Sequence, residues 1–229
     1  MSVATLPSAA CHELGKVYRI DGVDSTALHS VSKEFPPGAL TVVAGPSGSG
    51  KSSLLRILAC VDRPTSGLVE IGGLSVGDAR RRIRRRLRRR QIGYIFPDPI
   101  ENLIEYLTAA DQLRLSARLR GRRIEDDEVE RILEQLGLAH RLGHKPRELS
   151  GGEQQRTSIA CALVQHPVLV VADEPTAELD SVAAEQVLDG VRVLCDEGVA
   201  FVIASHDPRV IERADHALRL DHGRTVESW

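Results

Sequence analysis

The nonapeptide Gly45-Pro46-Ser47-Gly48-Ser49-Gly50-Lys51-Ser52-Ser53 combines residue types that could do chemistry with a spacing that would let them do it. It satisfies G-x-x-x-x-G-K-[ST], and it lies between an apolar strand pattern and a helical one, as that motif requires. Glycines let the backbone wrap closely round phosphates and present N–H donors to them. The helix that follows aims its positive end at the same anion. Lys51 supplies a cation for the β- and γ-phosphates, and Ser52 a hydroxyl for Mg²⁺. The expected ligand is a nucleoside triphosphate. A glycine-rich turn without function is the competing reading, and the flanking elements weigh against it.

Two more stretches suit the same ligand. "VLVVADEP" (168–175) reads as a buried strand ending in two acids. Asp173 would stand at the carboxyl edge of a parallel sheet, beside the phosphate loop, and help hold hydrated Mg²⁺. Glu174 would face the γ-phosphate, where a carboxylate can orient and polarise an attacking water as general base. An acidic pair can also merely end a strand. "IASH" repeats the pattern, ending in Ser205 and His206. A lone strand-end histidine is usually structural, but here it is placed to sense the γ-phosphate. "LSGGEQQR" (149–156) is a second anion site, with a serine and two glycines before a helix start. A chain holding one nucleotide needs only one phosphate loop. The second is therefore expected to serve a nucleotide held by a different copy.

These stretches need a frame that brings them together. "ALTVVAG" (39–45) is a continuous apolar run of the kind found inside parallel sheets. Strand patterns at 68–73, 168–175 and 199–207 alternate with helical ones, including 183–198, and "ALRLDHGRTVE" (217–227) reads as a hairpin about His222-Gly223. Alternation predicts an α/β fold with a mostly parallel core sheet flanked by helices. Glu13 to Leu40 reads as short strands with turns, an N-terminal antiparallel β region, after a loose tail at 1–10. "AADQLRLSARLRG" and "EDDEVERILEQLGL" are helical and interrupt the alternation. The expected organisation is a single domain with its core at 11–97 and 150–229 and an inserted helical subdomain at about 98–149.

Composition narrows the function classes. Hydrophobic residues make up 42% and charged residues 27%, enough for a core, and a net charge of −2 gives no global pull toward nucleic acid. The four cysteines, Cys11, Cys60, Cys161 and Cys195, have no metal-like spacing and are expected as free thiols in a reducing compartment. No apolar run is long enough to cross a bilayer, and no signal segment opens the chain, so any spanning would fall to another chain. "RRRIRRRLRRR" (80–90) puts Ile83 and Leu87 on one thin apolar stripe under a basic coat. It suits a solvated helix face, an anionic lipid surface or, lacking interleaved aromatics, less well a nucleic acid.

Taken in order, these motifs resemble those of an ATP-binding-cassette (ABC) ATPase, the nucleotide-binding subunit of an ABC transporter. The set comprises the Walker A loop "GPSGSGKSS", the signature "LSGGEQQR", the Walker B strand "LVVADE", the D-loop "AELD" (177–180) and the H-loop "SHD", across residues from about 13 to 227. The resemblance implies a P-loop NTPase fold and hydrolysis of ATP with Mg²⁺. It also implies a head-to-tail dimer with two ATP at the interface, more simply homomeric than heteromeric. By it, Ser150, Gly151 and Gly152 contact the γ-phosphate held by the partner's Walker A loop, Asp180 crosses the interface, and Tyr18 stacks on adenine. It implies a separate transmembrane permease, a peripheral place on the cytoplasmic face of the cell membrane, and no nucleic-acid partner. "LLRILACVDRPTSG", "ADEPTAELDS" and "SHDPRVIERADHALRLDHGR" are similar to the macrolide-export and lipoprotein-release type.

One position departs from the family. A glutamine follows the strand "IGYIF" there, as a ligand of Mg²⁺ or of the attacking water; this chain has Pro97, within Pro97-Asp98-Pro99. Proline has no side-chain donor or acceptor. Three readings stay open: Asp98 supplies an oxygen; hydrolysis proceeds on Glu174 and His206 with altered coupling; or the chain is a low-turnover ATP-binding half. A non-transport ATPase that regulates a membrane protein is also compatible. A soluble ATPase of DNA repair or chromosome maintenance fits less well, for want of a long coiled coil, zinc modules or a second cassette. Cys161 stands where the family often has arginine, and Ser53 where it often has threonine.

Overall fold

The computed structural model describes residues 6–229. It opens on a long hairpin, β1 (Ala9–Ile20) and β2 (Val23–Phe35), turning at Asp21-Gly22, where both φ angles are positive. The sequence predicts several short strands here. The strands are 12 and 13 residues long, with register shifts between Cys11 and Val17, and Glu13 and Ser30 adopt positive φ. Each bulge moves the following side chains to the other face, so the period of two breaks and one strand reads as several. The expected tail is likewise shorter, because Ala9 and Ala10 are buried and paired in β1; residues 1–5 lie outside the described residues.

The chain then enters a second sheet at β3 (Leu40–Ala44) and turns into α1 (Lys51–Leu58). β4 (Ser66–Ile71) and β5 (Leu74–Ser75) return to the first sheet, completing the antiparallel order β2-β1-β4-β5. Next come α2 (Arg81–Arg90), β6 (Ile92–Ile95), α3 (Pro99–Asn102), α4 (Ala109–Leu119) and α5 (Asp126–Gln135). The remainder is α6 (Gly151–Leu163), β7 (Leu169–Asp173), α7 (Ser181–Asp196), β8 (Ala200–Ala204), α8 (Pro208–Glu212), β9 (His216–Asp221) and β10 (Arg224–Ser228).

The second sheet runs β10-β9-β3-β8-β7-β6, parallel apart from the edge strand β10. Alternate residues of its strands feed two cores. Val42, Val170, Phe201 and Ile203 face one that includes Leu113, Leu133, Ile159 and Leu188 of α4 to α7. Val43, Val171 and Val202 face the other, with Leu54 and Leu58 of α1 and Leu14 and Phe35 of the hairpin. Cover on both faces explains why β8 reads as an unbroken apolar run and β3 as one broken only by the buried Thr41. All four cysteines are free and buried in this packing. Burial pushes the Cys11, Cys161 and Cys195 thiols up to about 12.

Helix α2 does not present the expected stripe. Leu87 is buried at 4% exposure, but Ile83 is 47% exposed. The inward positions belong to Arg84 and Arg88, which donate to the carbonyls of Asp62 and Cys60. Those carbonyls lie just past the C-terminal end of α1, where acceptors are unsatisfied and cations are favoured. Among the described residues no helix is long and apolar enough to cross a membrane.

Candidate nucleotide site

Because β3, β8 and β7 are parallel neighbours, their carboxyl ends emerge along one edge. β3 is followed by the loop Gly45–Gly50 and the first turn of α1 with Lys51–Ser53, β7 ends at Asp173 with Glu174 next, and between them β8 leads to Ser205 and His206. The sheet order alone thus makes neighbours of three segments far apart in sequence. They bound a cleft of about 540 Å³, to which Gly45, Lys51, Ser52, Asp173, Glu174 and His206 all contribute.

Two glycines of the loop have no room for a side chain. A Cβ on Gly45 would lie 2.2 Å from the Leu220 carbonyl, and one on Gly50 would lie 2.4 Å from the Ala27 carbonyl, both at positive φ. Neither backbone neighbour can give way. The Gly223 N–H, at the turn between β9 and β10, donates to the Ser49 carbonyl at 3.0 Å and fastens the loop from outside. Lys51 is buried, and its Nζ donates to the Gly45 and Pro46 carbonyls at 2.8 and 3.0 Å. The ammonium therefore stands inside the curl of the loop. The Ser49 hydroxyl is buried and has no hydrogen-bond partner among the described residues.

The Ser52 hydroxyl and the Asp173 carboxylate both line this cleft. Burial raises the Asp173 pKa, Ser52 and Lys51 oppose the rise, and the charge of Glu174 adds to it. A hydroxyl and a half-buried carboxylate are hard oxygen donors. They fit a small divalent cation that keeps most of its waters. Among the described residues no cluster of three or more His, Cys, Asp or Glu could hold a metal ion.

Glu174 adopts φ 46°, rare for a non-glycine residue and a sign of imposed strain. Its N–H donates to the Ala204 carbonyl at 2.9 Å, which joins it to the end of β8. One carboxylate oxygen lies 2.8 Å from His206 Nδ1, and the other accepts from the Ser205 hydroxyl at 3.3 Å. Ser205 is fully buried and also accepts from the Asp207 N–H. It is a positioning group that motif reading leaves without a role.

Tyr18 lies near Ser53, at the end of the phosphate-loop motif. Its hydroxyl also donates to Asp62 Oδ2 at 2.9 Å, Arg56 Nε bonds the same oxygen at 3.0 Å, and Lys16 Nζ sits 4.5 Å from the ring centroid. This network fixes the tyrosine against α1. Nothing in the local sequence announces a link spanning 44 residues.

Ser150, Gly151, Gly152 and Asp180 are not in the phosphate cleft. Ser150 opens onto a separate hollow with Glu153, Arg156 and Gln186. It caps α6 through a capping box, in which its hydroxyl accepts from the Glu153 N–H and Glu153 accepts from its N–H at 2.8 Å. Gly152 packs on α7, where a Cβ would meet Ala183 at 2.8 Å. Asp180 is exposed and caps α7 by accepting from the Ala183 N–H at 2.8 Å. Burial would raise the Glu153 carboxyl, but hydrogen bonds from Ser150 and Arg141 outweigh it and bring it down to about 2 from 4.5. Its stabilising effect is complete above pH 4.5 and is lost as pH falls toward 2. Accordingly, Glu153→Gln should lower the melting temperature at pH 7, and the gap from the parent chain should close between pH 4.5 and 2.

Pro97 is exposed, and neither it nor Asp98 lines the cleft. The joint is clasped instead by Asn102, which accepts from the Phe96 N–H at 2.9 Å and donates to the Phe96 and Asp98 carbonyls at 3.0 and 3.1 Å.

A phosphate loop, a strand-end carboxylate pair, a histidine beside the second carboxylate and a separate Ser-Gly-Gly helix cap together define an ATP-binding-cassette ATPase. The family described as ABC transporter matches residues 28–177, and the chain belongs to it. It is 40% identical over 207 residues to the lipoprotein-releasing system ATP-binding protein LolD of Legionella pneumophila, covering 89% of this chain and 90% of that one. It is 37% identical over 216 residues to the macrolide export ATP-binding/permease protein MacB of Syntrophobacter fumaroxidans, covering 92% of this chain and 30% of that longer one. Among solved structures, a dimeric post-hydrolysis state of an ATP-binding cassette bound to ADP and Pi superposes with a TM-score of 0.84. It is 32% identical and covers 96% of this chain and 97% of that one. The chain is thus an ATP-binding, ATP-hydrolysing cassette of the macrolide-export and lipoprotein-release type. Subunits of this family dimerise and work with transmembrane partners.

Proposed function

We propose that this chain powers a separate transmembrane permease from the cytoplasmic face of the membrane, as a head-to-tail homodimer closing on two ATP. Lys51 and the N–H groups of Gly45–Ser53 bind the phosphates, and Tyr18 stacks on adenine. Ser52 and Asp173 hold Mg²⁺, which when bound neutralises phosphate charge. Glu174 acts as general base: it orients a water for in-line attack and takes its proton, while His206 keeps the carboxylate aimed and contacts the γ-phosphate. Ser150, Gly151 and Gly152 of the second copy complete the site, and Asp180 lies across the interface. The single observation that carries this reading is the Glu174 carboxylate held from both sides by His206 and Ser205 at the mouth of the phosphate cleft. Cargo selection falls to the permease.

In this reading Pro97 alters coupling rather than chemistry, because the Glu174–His206 pair owes nothing to it. Steady-state Mg-ATP turnover of this chain should exceed that of Glu174→Gln by about a hundredfold or more. Pro97→Gln should change turnover by less than about tenfold. Turnover of the parent chain at the Glu174→Gln background, with recovery in Pro97→Gln, would instead make it an ATP-binding half whose partner supplies the missing group.

A further inference from the structure

The charge of this molecule is distributed very unevenly. Nine of its 30 basic side chains fall within Arg80–Arg90, a run without one acid, which leaves 21 basic against 32 acidic side chains elsewhere. Arg84 and Arg88 are engaged with carbonyls beyond α1. The exposed Arg82, Arg85, Arg86, Arg89 and Arg90 join Arg120 around a hollow of about 520 Å³. Arg120 arrives from the C-terminal end of α4, where its guanidinium donates to the Ile92 carbonyl at 3.3 Å. Burial lowers its pKa. Gly121, at positive φ, also borders the hollow. Among the described residues, none of these six arginines forms an ion pair with a carboxylate. Six like charges thus converge on one concavity, none of them in an ion pair among the described residues.

We propose that this arginine face of α2 is a membrane contact that takes the phosphates of anionic phospholipid head groups. The guanidinium fork matches a phosphate bidentately, and an arginine near an anionic leaflet gains on the order of fivefold in partitioning. Three observations favour a lipid surface over a soluble polyanion. Ile83 stands exposed among the arginines, an apolar side chain at the depth where a surface helix meets acyl chains. The rest of the chain is acidic, so an anionic surface repels it and turns α2 inward. No aromatic residue lies in 80–90 to stack on bases. The contact goes beyond the permease-driving role, because it needs no permease.

The test is co-sedimentation of the full chain with phosphatidylcholine vesicles, with and without phosphatidylglycerol, at low and high NaCl. The parent chain should partition onto the anionic vesicles only, and less at high salt. The variant Arg82→Gln/Arg85→Gln/Arg86→Gln/Arg89→Gln keeps Arg84, Leu87 and Arg88, which hold the helix in place. It should lose about a hundredfold or more in partitioning, while its far-UV circular dichroism and ATP turnover stay unchanged. If it fails to fold, Arg82→Gln/Arg86→Gln decides, with an expected loss of about tenfold or more. Equal binding to uncharged vesicles, or unchanged binding by the variants, overturns the proposal. So does displacement by inorganic phosphate at matched ionic strength, which would mark a free-phosphate site. Arginine-dependent capture of a single-stranded oligonucleotide without vesicle binding would overturn it in favour of nucleic acid.

Discussion

Lys51→Ala is expected to weaken ATP binding by about a hundredfold, and turnover should fall to background. Two losses combine. The ammonium is the one buried cation inside the phosphate loop among the described residues, and a hydrogen bond to a charged partner contributes about 1.5–3 kcal/mol. The same ammonium spans the Gly45 and Pro46 carbonyls, so its removal leaves two inward-facing acceptors beside an incoming polyanion. The loop should survive the change, because Gly223 still fastens Ser49 from the opposite side. Titration calorimetry with ATP, alongside a thermal melt, checks both points. A dissociation constant within about threefold of the parent's, in a folded variant, would mean that the backbone donors alone bind the nucleotide.

Glu174→Gln separates binding from chemistry. The amide has the same shape, and its oxygen can still accept from Ser205 or His206, so the cleft keeps its form. What disappears is the basic oxygen, and general-base catalysis is worth about 10²–10⁴-fold. ATP binding should stay within about threefold while turnover drops by that factor. ATP is then held without being consumed, and a dimer closed on it should persist. Size-exclusion chromatography with ATP should show a dimer for the variant where the parent chain shows mostly monomer. Unchanged turnover would remove Glu174 from the role of base, and the strained φ at that residue would need another explanation.

The parts of this protein that were legible in sequence are those where chemistry demands particular residues at short spacing. Gly45–Ser53 reads as a phosphate loop because no side chain fits at Gly45 or Gly50. Asp173, Glu174 and His206 read correctly as strand ends because the strands before them are apolar on both faces. Local pattern failed where a long-range contact decides the outcome. The hairpin of β1 and β2 reads as fragments because its bulges reverse the alternation. Periodicity does not give the orientation of α2, because it ranks arginine as outward, whereas Arg84 and Arg88 find carbonyl partners some twenty residues or more back along the chain. The Tyr18–Asp62–Arg56 network and the Asn102 clasp exist only after folding. Helix α8 could have been found, since Asp207 at its cap and Pro208 in its first turn are a standard start signal.

The strand order has a consequence for how the protein comes into being. β3 pairs with β8 and β9, so Leu40 meets Phe201 across roughly 160 residues of intervening chain. During synthesis, the segment that leads into the phosphate loop leaves the ribosome early and has no sheet partner until residues 200–221 follow. Meanwhile "LTVVA", buried along its whole length in the finished fold, is a short uncharged strand former without cover. Closing so long a loop is slow, and an unpaired apolar strand is prone to pairing with its like. The nucleotide pocket is therefore among the last features to take shape, and a chain stalled before β8 would carry every residue of the Gly45–Ser53 loop with no frame to hold it.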